Sequence, residues 1–148
     1  MKKILLSVLL LGAIFVDVNA QKKYKIITTI ESIVPMGLGR SRIIESTQEV
    51  NAEQFTTQRV EGKDSKQGDV KRSDTKIDEL NETKILNFYS MVGLNFQNIA
   101  SNDAMITSKL NTLSEEGWEL FTVVSGVESD SGKSDGNGIF ITRYIFRK

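Results

Sequence analysis

The sequence predicts an α+β domain: an antiparallel sheet of about four or five strands with one main helix packed on it. Three observations carry that expectation. Runs rich in β-branched residues lie near both ends of the mature chain, a helical apolar stripe lies between them, and glycine-rich breaks separate the periodic segments.

Before the first strand comes an apparent address label. Lys2 and Lys3 precede an apolar run of 13 residues, 4–16, and Val18, Asn19 and Ala20 complete the layout of a secretory signal peptide. Cleavage is expected between Ala20 and Gln21, leaving 21–148 as a single domain. The run falls short of the roughly 20 residues that span a bilayer, and Asp17 interrupts it, so no membrane span is expected after cleavage. The chain has no cysteine, so a lipid-anchored export signal is excluded. The expected location is periplasmic or secreted, in a bacterium.

In residues 24–34, Tyr24, Ile26, Ile30 and Val34 share one parity and Lys25, Thr29 and Glu31 the other, which reads as a half-buried strand. Pro35 ends it, Gly37 and Gly39 permit a turn, and residues 40–45 run back as a second strand. From about 46 to 84 the chain is a long polar excursion too poor in apolar residues to offset its ordering entropy throughout, with one short strand expected at 55–60. Around Gly93, Leu86, Asn87 and Phe88 are repeated as Leu94, Asn95 and Phe96, and one strand or two short ones suit the spacing.

The helix follows. Ser101 or Asn102 is expected to cap it, with Asp103 in the first turn. Ile106, Leu110 and Leu113 form its stripe, and Gly117 stands where a left-handed residue ends a helix. Beyond it, Trp118, Leu120 and Val124 alternate with Glu119, Phe121 and Val123 in a strand. A polar, glycine-rich connection at 126–138 leads to a final strand at 139–146. Its two parities are both apolar, which predicts a central strand covered on both sides.

Residues 110–120, ending in Gly117, Trp118, Glu119 and Leu120, resemble the signature of the small bacterial domains catalogued as domain of unknown function 4177. Those domains begin with a strand similar to Tyr24, Lys25, Ile26 and Ile27 and finish with an aromatic-basic ending similar to Tyr144 through Lys148. The resemblance covers 24–34 and 104–148, and the long middle region departs from it. It implies a fold and no activity.

Composition narrows the chemistry. With no cysteine and no histidine, the chain cannot form disulfides, thiolate nucleophiles, histidine triads or ordinary zinc sites. The leader holds two lysines and one aspartate, so the remaining 128 residues carry 17 basic and 18 acidic side chains, a net of −1. That balance gives no support to nucleic-acid binding.

Four sets of residues remain as candidates. Arg40 and Arg42, beside Gly37 and Gly39, suit an anionic partner less well than a turn whose strand edge is guarded by arginines. Trp118 suits ligand stacking less well than packing at the helix corner. Glu128, Asp130, Asp135 and Asn137 offer oxygens without EF-hand spacing, and Lys133 sits among them, so no metal is expected. Glu31, Glu119 and Arg143 lie within strands, where cross-strand ion pairs explain them more simply than a paired-carboxylate site.

No catalytic residue and no cofactor is assigned. The expectation is a non-enzymatic exported binding or interaction module for an unknown protein or an anionic envelope component. The alternative is a carboxylate-dependent hydrolase of envelope or extracellular polymer, marked by an acid pair in a cleft. A third reading, an accessory subunit of a larger assembly, would show as an exposed hydrophobic patch or an unpaired sheet edge.

Overall fold

A computed structural model of the chain describes residues 22–34, 40–128 and 138–148. The expected leader at 1–20, Pro35, Gly37, Gly39, and the loop residues Asp130, Asp135 and Asn137 lie outside the described residues.

The β-branched run near the N-terminus forms β1 (Tyr24–Ser32), the centre of the sheet. β1 pairs antiparallel with β2 (Arg42–Ser46), with Ile27 opposite Glu45. On its other side all nine residues pair with β7 (Ile139–Arg147), from Tyr24 opposite Arg147 to Ser32 opposite Ile139. β3 (Leu80–Lys84) lies outside β2 and β6 (Glu119–Glu128) lies outside β7, giving the order β3-β2-β1-β7-β6. The fold is the expected α+β arrangement, with five antiparallel strands.

The excursion holds 3-10 turns at Ala52–Phe55 and Gln67–Asp69 and a single helical turn, α1 (Arg72–Thr75), all free of buried residues. The strand expected at 55–60 does not form, because Phe55 closes a 3-10 turn and the residues after it have no ladder partner. A strand appears instead at β3, whose polar sequence gives no local signal but which completes a ladder along β2, with Ile43 opposite Thr83. Around Gly93 the chain makes two short strands, β4 (Tyr89–Ser90) and β5 (Gly93–Leu94), and Gly93 adopts a φ of 121° that favours glycine.

The long helix, α2 (Phe96–Glu115), has its cap at Asn95, six or seven residues before the expected Ser101 or Asn102. Asn95 supplies the same chemistry first: its Oδ1 accepts from the Gln97 and Asn98 backbone N–H groups at 3.0 and 3.2 Å. Its own N–H donates to the Phe88 carbonyl at 2.8 Å, which anchors that cap to the hairpin. The end is as expected. Gly117 has φ 84°, its N–H donates to Ser114 O, and the Trp118 N–H reaches back to Leu113 O, both at 2.9 Å. That paired closure turns the chain sharply out of the helix and into β6.

One face of the sheet is covered by α2. Ile27, Ile43, Ile85, Ile106, Leu113 and Phe146 form the buried cluster, with Leu110, Trp118 and Tyr144 packed against it. This corrects the parity of β1. The inward residues are Ile27 and Thr29, while Tyr24 and Ile26 point to the opposite face. A register shift between Leu120 and Thr122 corrects β6: it puts Val124 on the face of Glu119 and Val123 on that of Leu120. β7 is central, as expected, but the helix covers only its Tyr144 and Phe146 side.

Candidate functional site: the open sheet face and the β6 edge

At the helix corner, Trp118 sits against the core with the Lys25 and Lys148 ammonium groups 5.3 and 5.8 Å from its ring centroid. A broad depression of about 830 Å³ opens beside it, lined among others by Lys25, Glu45 and Glu49. Glu45 is buried, and its two oxygens accept from Lys25 Nζ at 2.8 Å and Lys109 Nζ at 2.6 Å. Burial alone would raise its pKa, but the hydrogen bonds and charges of Lys109 and Lys25 outweigh that and hold the carboxyl below its ordinary value. A carboxylate committed on both oxygens is neither a proton donor nor a free nucleophile. The corner is a structural ion triad under an aromatic lid.

A second polar group joins β1 to the segment before α2. Ser41 Oγ donates to Asn87 Oδ1 at 2.6 Å and accepts from the Ser32 N–H, while Asn87 Nδ2 donates to Val34 O. Asn102, buried in the middle of α2, accepts from the Leu86 N–H at 2.7 Å and donates to Leu86 O and to Glu31 Oε1. Burial raises the Glu31 pKa; the Asn102 hydrogen bond opposes this, and the nearby charge of Asp103 adds to it. Burial, then the charge of Glu31, pushes the Tyr144 hydroxyl up as well. Sequence reading missed Asn102 in this role, although it lies one helical turn before Ile106 on the inward stripe.

The other candidates are scattered. Arg42 Nη1 reaches Glu82 Oε1 at 2.6 Å across β2 and β3, on the face away from the helix, so it does not meet Trp118. Arg40 is exposed just before β2. Glu119 pairs with Arg147 and not with Arg143, through two bonds of 2.9 and 3.0 Å that hold its carboxyl below the usual range. Arg143 is exposed opposite Val124, and Glu128 is the last residue of β6. Among the described residues no group of three or more acids could hold a metal ion, and no helix is long and apolar enough to cross a membrane.

What the topology does bring together is apolar surface. On the face away from α2, Tyr24, Ile26, Phe121 and Val124 remain about half exposed, at 59%, 48%, 51% and 50%. Tyr24 and Phe121 meet edge to face at 6.1 Å, and the Arg147 guanidinium lies 4.9 Å from the Phe121 centroid. Leu120, Val123 and Val127 are exposed on the helix side of β6. Among the described residues this ten-residue strand is therefore open on both faces and along its outer edge. Between Glu119 and Glu128 it carries neither a charge nor a proline, and its one edge-disrupting device is the bulge at Phe121, which leaves the ladder regular from Thr122 to Glu128.

Compared with known proteins, the chain matches no family model, no curated protein and no solved structure.

Proposed function

We propose that this chain is an exported bacterial interaction module, held in an envelope or extracellular assembly through its open sheet face and β6. The single observation that carries the reading is the β6 edge, uncharged between its end residues and without a strand partner among the described residues, continuous with half-exposed Tyr24, Ile26, Phe121 and Val124. Natural domains that leave such a surface bare invite association, so a surface kept in this form has an occupant. The basic start and apolar run of residues 1–20 support export, with Gln21 as the mature N-terminus. The strand, helix, Gly-Trp-Glu corner and closing hairpin support kinship with domain of unknown function 4177.

The hydrolase alternative has less support. It requires two acids of separated pKa facing one cleft. Glu45 is committed to lysines, while Glu31, held by Asn102, lies in a packed polar seam. An anionic envelope component remains a ligand class for Arg40, though Arg42 already serves Glu82.

The test compares tagged full-length chain with Val124→Lys and Glu31→Gln, each recovered from its own envelope fraction. The reading expects co-purifying material that Val124→Lys loses and Glu31→Gln keeps, and a mature mass beginning at Gln21. Turnover of envelope polymer by the wild type that Glu31→Gln abolishes would contradict it.

A further inference from the structure

We infer that β6 is closed by a second copy of this chain, the two β6 strands pairing antiparallel across a two-fold axis into one continuous ten-stranded sheet. The inference rests on the interaction-module reading and names its partner.

Both faces of β6 need cover. Leu120, Val123 and Val127 are exposed on the helix side and Phe121 and Val124 on the other. A body packed on the open face would bury only the second set. A strand laid along the edge gives cross-strand neighbours to both sets at once and satisfies the outward backbone groups.

The surface is large enough. These five side chains and neighbouring Phe140 are 37% to 64% exposed. At 150–250 Å² for an aromatic side chain and somewhat less for an aliphatic one, they offer on the order of 500 Å² of apolar area. Together with the strand's backbone and its polar side chains, that approaches the roughly 800 Å² per partner of a standard interface.

The charges of β6 lie only at its two ends. Glu128, without an ion partner among the described residues, stands at the opposite end of β6 from the Glu119–Arg147 pair. Antiparallel pairing brings the Glu128 end of one copy toward the Glu119 end of the other, where Arg147 already neutralises that carboxylate. Closure at two copies follows from the other edge: β3 has five residues, with Glu82 and Lys84 among them, and Glu82 is tied to Arg42.

Sedimentation of the full chain, produced with its N-terminal segment in an exporting host, tests this directly. The expected result is a dimer at micromolar concentration. Val123→Lys and Val124→Lys, on opposite faces of the strand, should each weaken association by about tenfold or more, from a charge set among apolar cross-strand neighbours. Leu80→Lys on β3 should leave association unchanged.

Because the chain lacks cysteine, Ser125→Cys gives a second reading that does not depend on tolerating a charge. With the two-fold axis at Ser125, which sets Val123 opposite Val127, mild oxidation should yield a disulfide-linked dimer, while Glu49→Cys, away from β6, should not. A dimer broken by Val124→Lys and Ile26→Lys but not by Val123→Lys means face-to-face packing and overturns the edge pairing. Open-ended assembly overturns it too. A monomer at about 100 μM, in the micromolar-to-millimolar range where weak association would still register, overturns the second copy alone, and the capture experiment above then judges the module reading separately.

Discussion

The two faces of the sheet differ in what completes them. On the helix side, Leu113 and Phe146 fill the space between α2 and β1, and the buried Glu45 and Asn102 are partnered, Glu45 by two lysines and Asn102 by Leu86 and Glu31. On the far side, side chains of the same chemical kind, Ile26, Phe121 and Val124, stand half exposed. The covered face therefore accounts for folding within one chain. The open face does not need to be apolar for that purpose, so its composition is better explained by association.

Substitutions on each face should separate those roles. The largest effect is expected from Leu113→Ala, which empties a fully buried site and should cost about 3 kcal/mol in urea unfolding. Val124→Ala, on the open face, should cost well under about 1 kcal/mol in dilute solution, and a loss near that of Leu113 would break the distinction.

Glu45→Gln comes next. It leaves Lys25 and Lys109 facing a neutral group, and since both lysines keep some solvent the expected loss is about 2 kcal/mol at pH 7. The folded-state pKa of Glu45 is lowered, so its contribution is present above the unfolded value and is lost as pH falls through the folded one. The gap between wild type and Glu45→Gln should accordingly narrow at pH 3.

Glu31 has the opposite sign and a smaller effect. Its folded pKa is raised, so its contribution is fully present below the unfolded value and is lost as pH rises through the folded one. Glu31→Gln retains an acceptor for Asn102 and does not titrate. Its stability relative to wild type should therefore improve from pH 3 to pH 7, as read by thermal melts at both pH values. Least of all, Glu119→Gln removes a solvent-exposed partner of Arg147 and should leave stability unchanged.

Much of the covered side was legible in the sequence because it rests on local signals. Ile106, Leu110 and Leu113 give a helical period, and the left-handed residue at Gly117 fixes the turn that delivers Trp118 to the core. Parity was not legible in β1, where Ile26, Ile27 and Ile30 put isoleucine on both faces and buried Thr29 looks polar. The helix start was hidden because Asn95 and Asn102 have the same capping chemistry, and only the fold decides that one caps while the other is buried. β3 depends on β2 for its ladder, and the β6 register shift at Phe121 leaves no mark on a run of apolar residues.

The candidate site was the least legible part. An apolar strand reads alike whether it lies in the middle of a sheet or at its edge, and strand order follows from long-range pairing that a local pattern does not encode. Sequence reading could name an unpaired edge as the mark of an assembly subunit. Assigning that edge to β6 required the topology.

Amide hydrogen exchange along β6 and β3, followed in the full chain from dilute to concentrated solution, addresses the occupied edge most directly. The outward amides of β6 should exchange quickly when dilute and become protected on concentration, while those of β3 stay as they were. Exchange that is equally fast at both edges across the whole range, or protection that rises at β3 alone, would contradict this account.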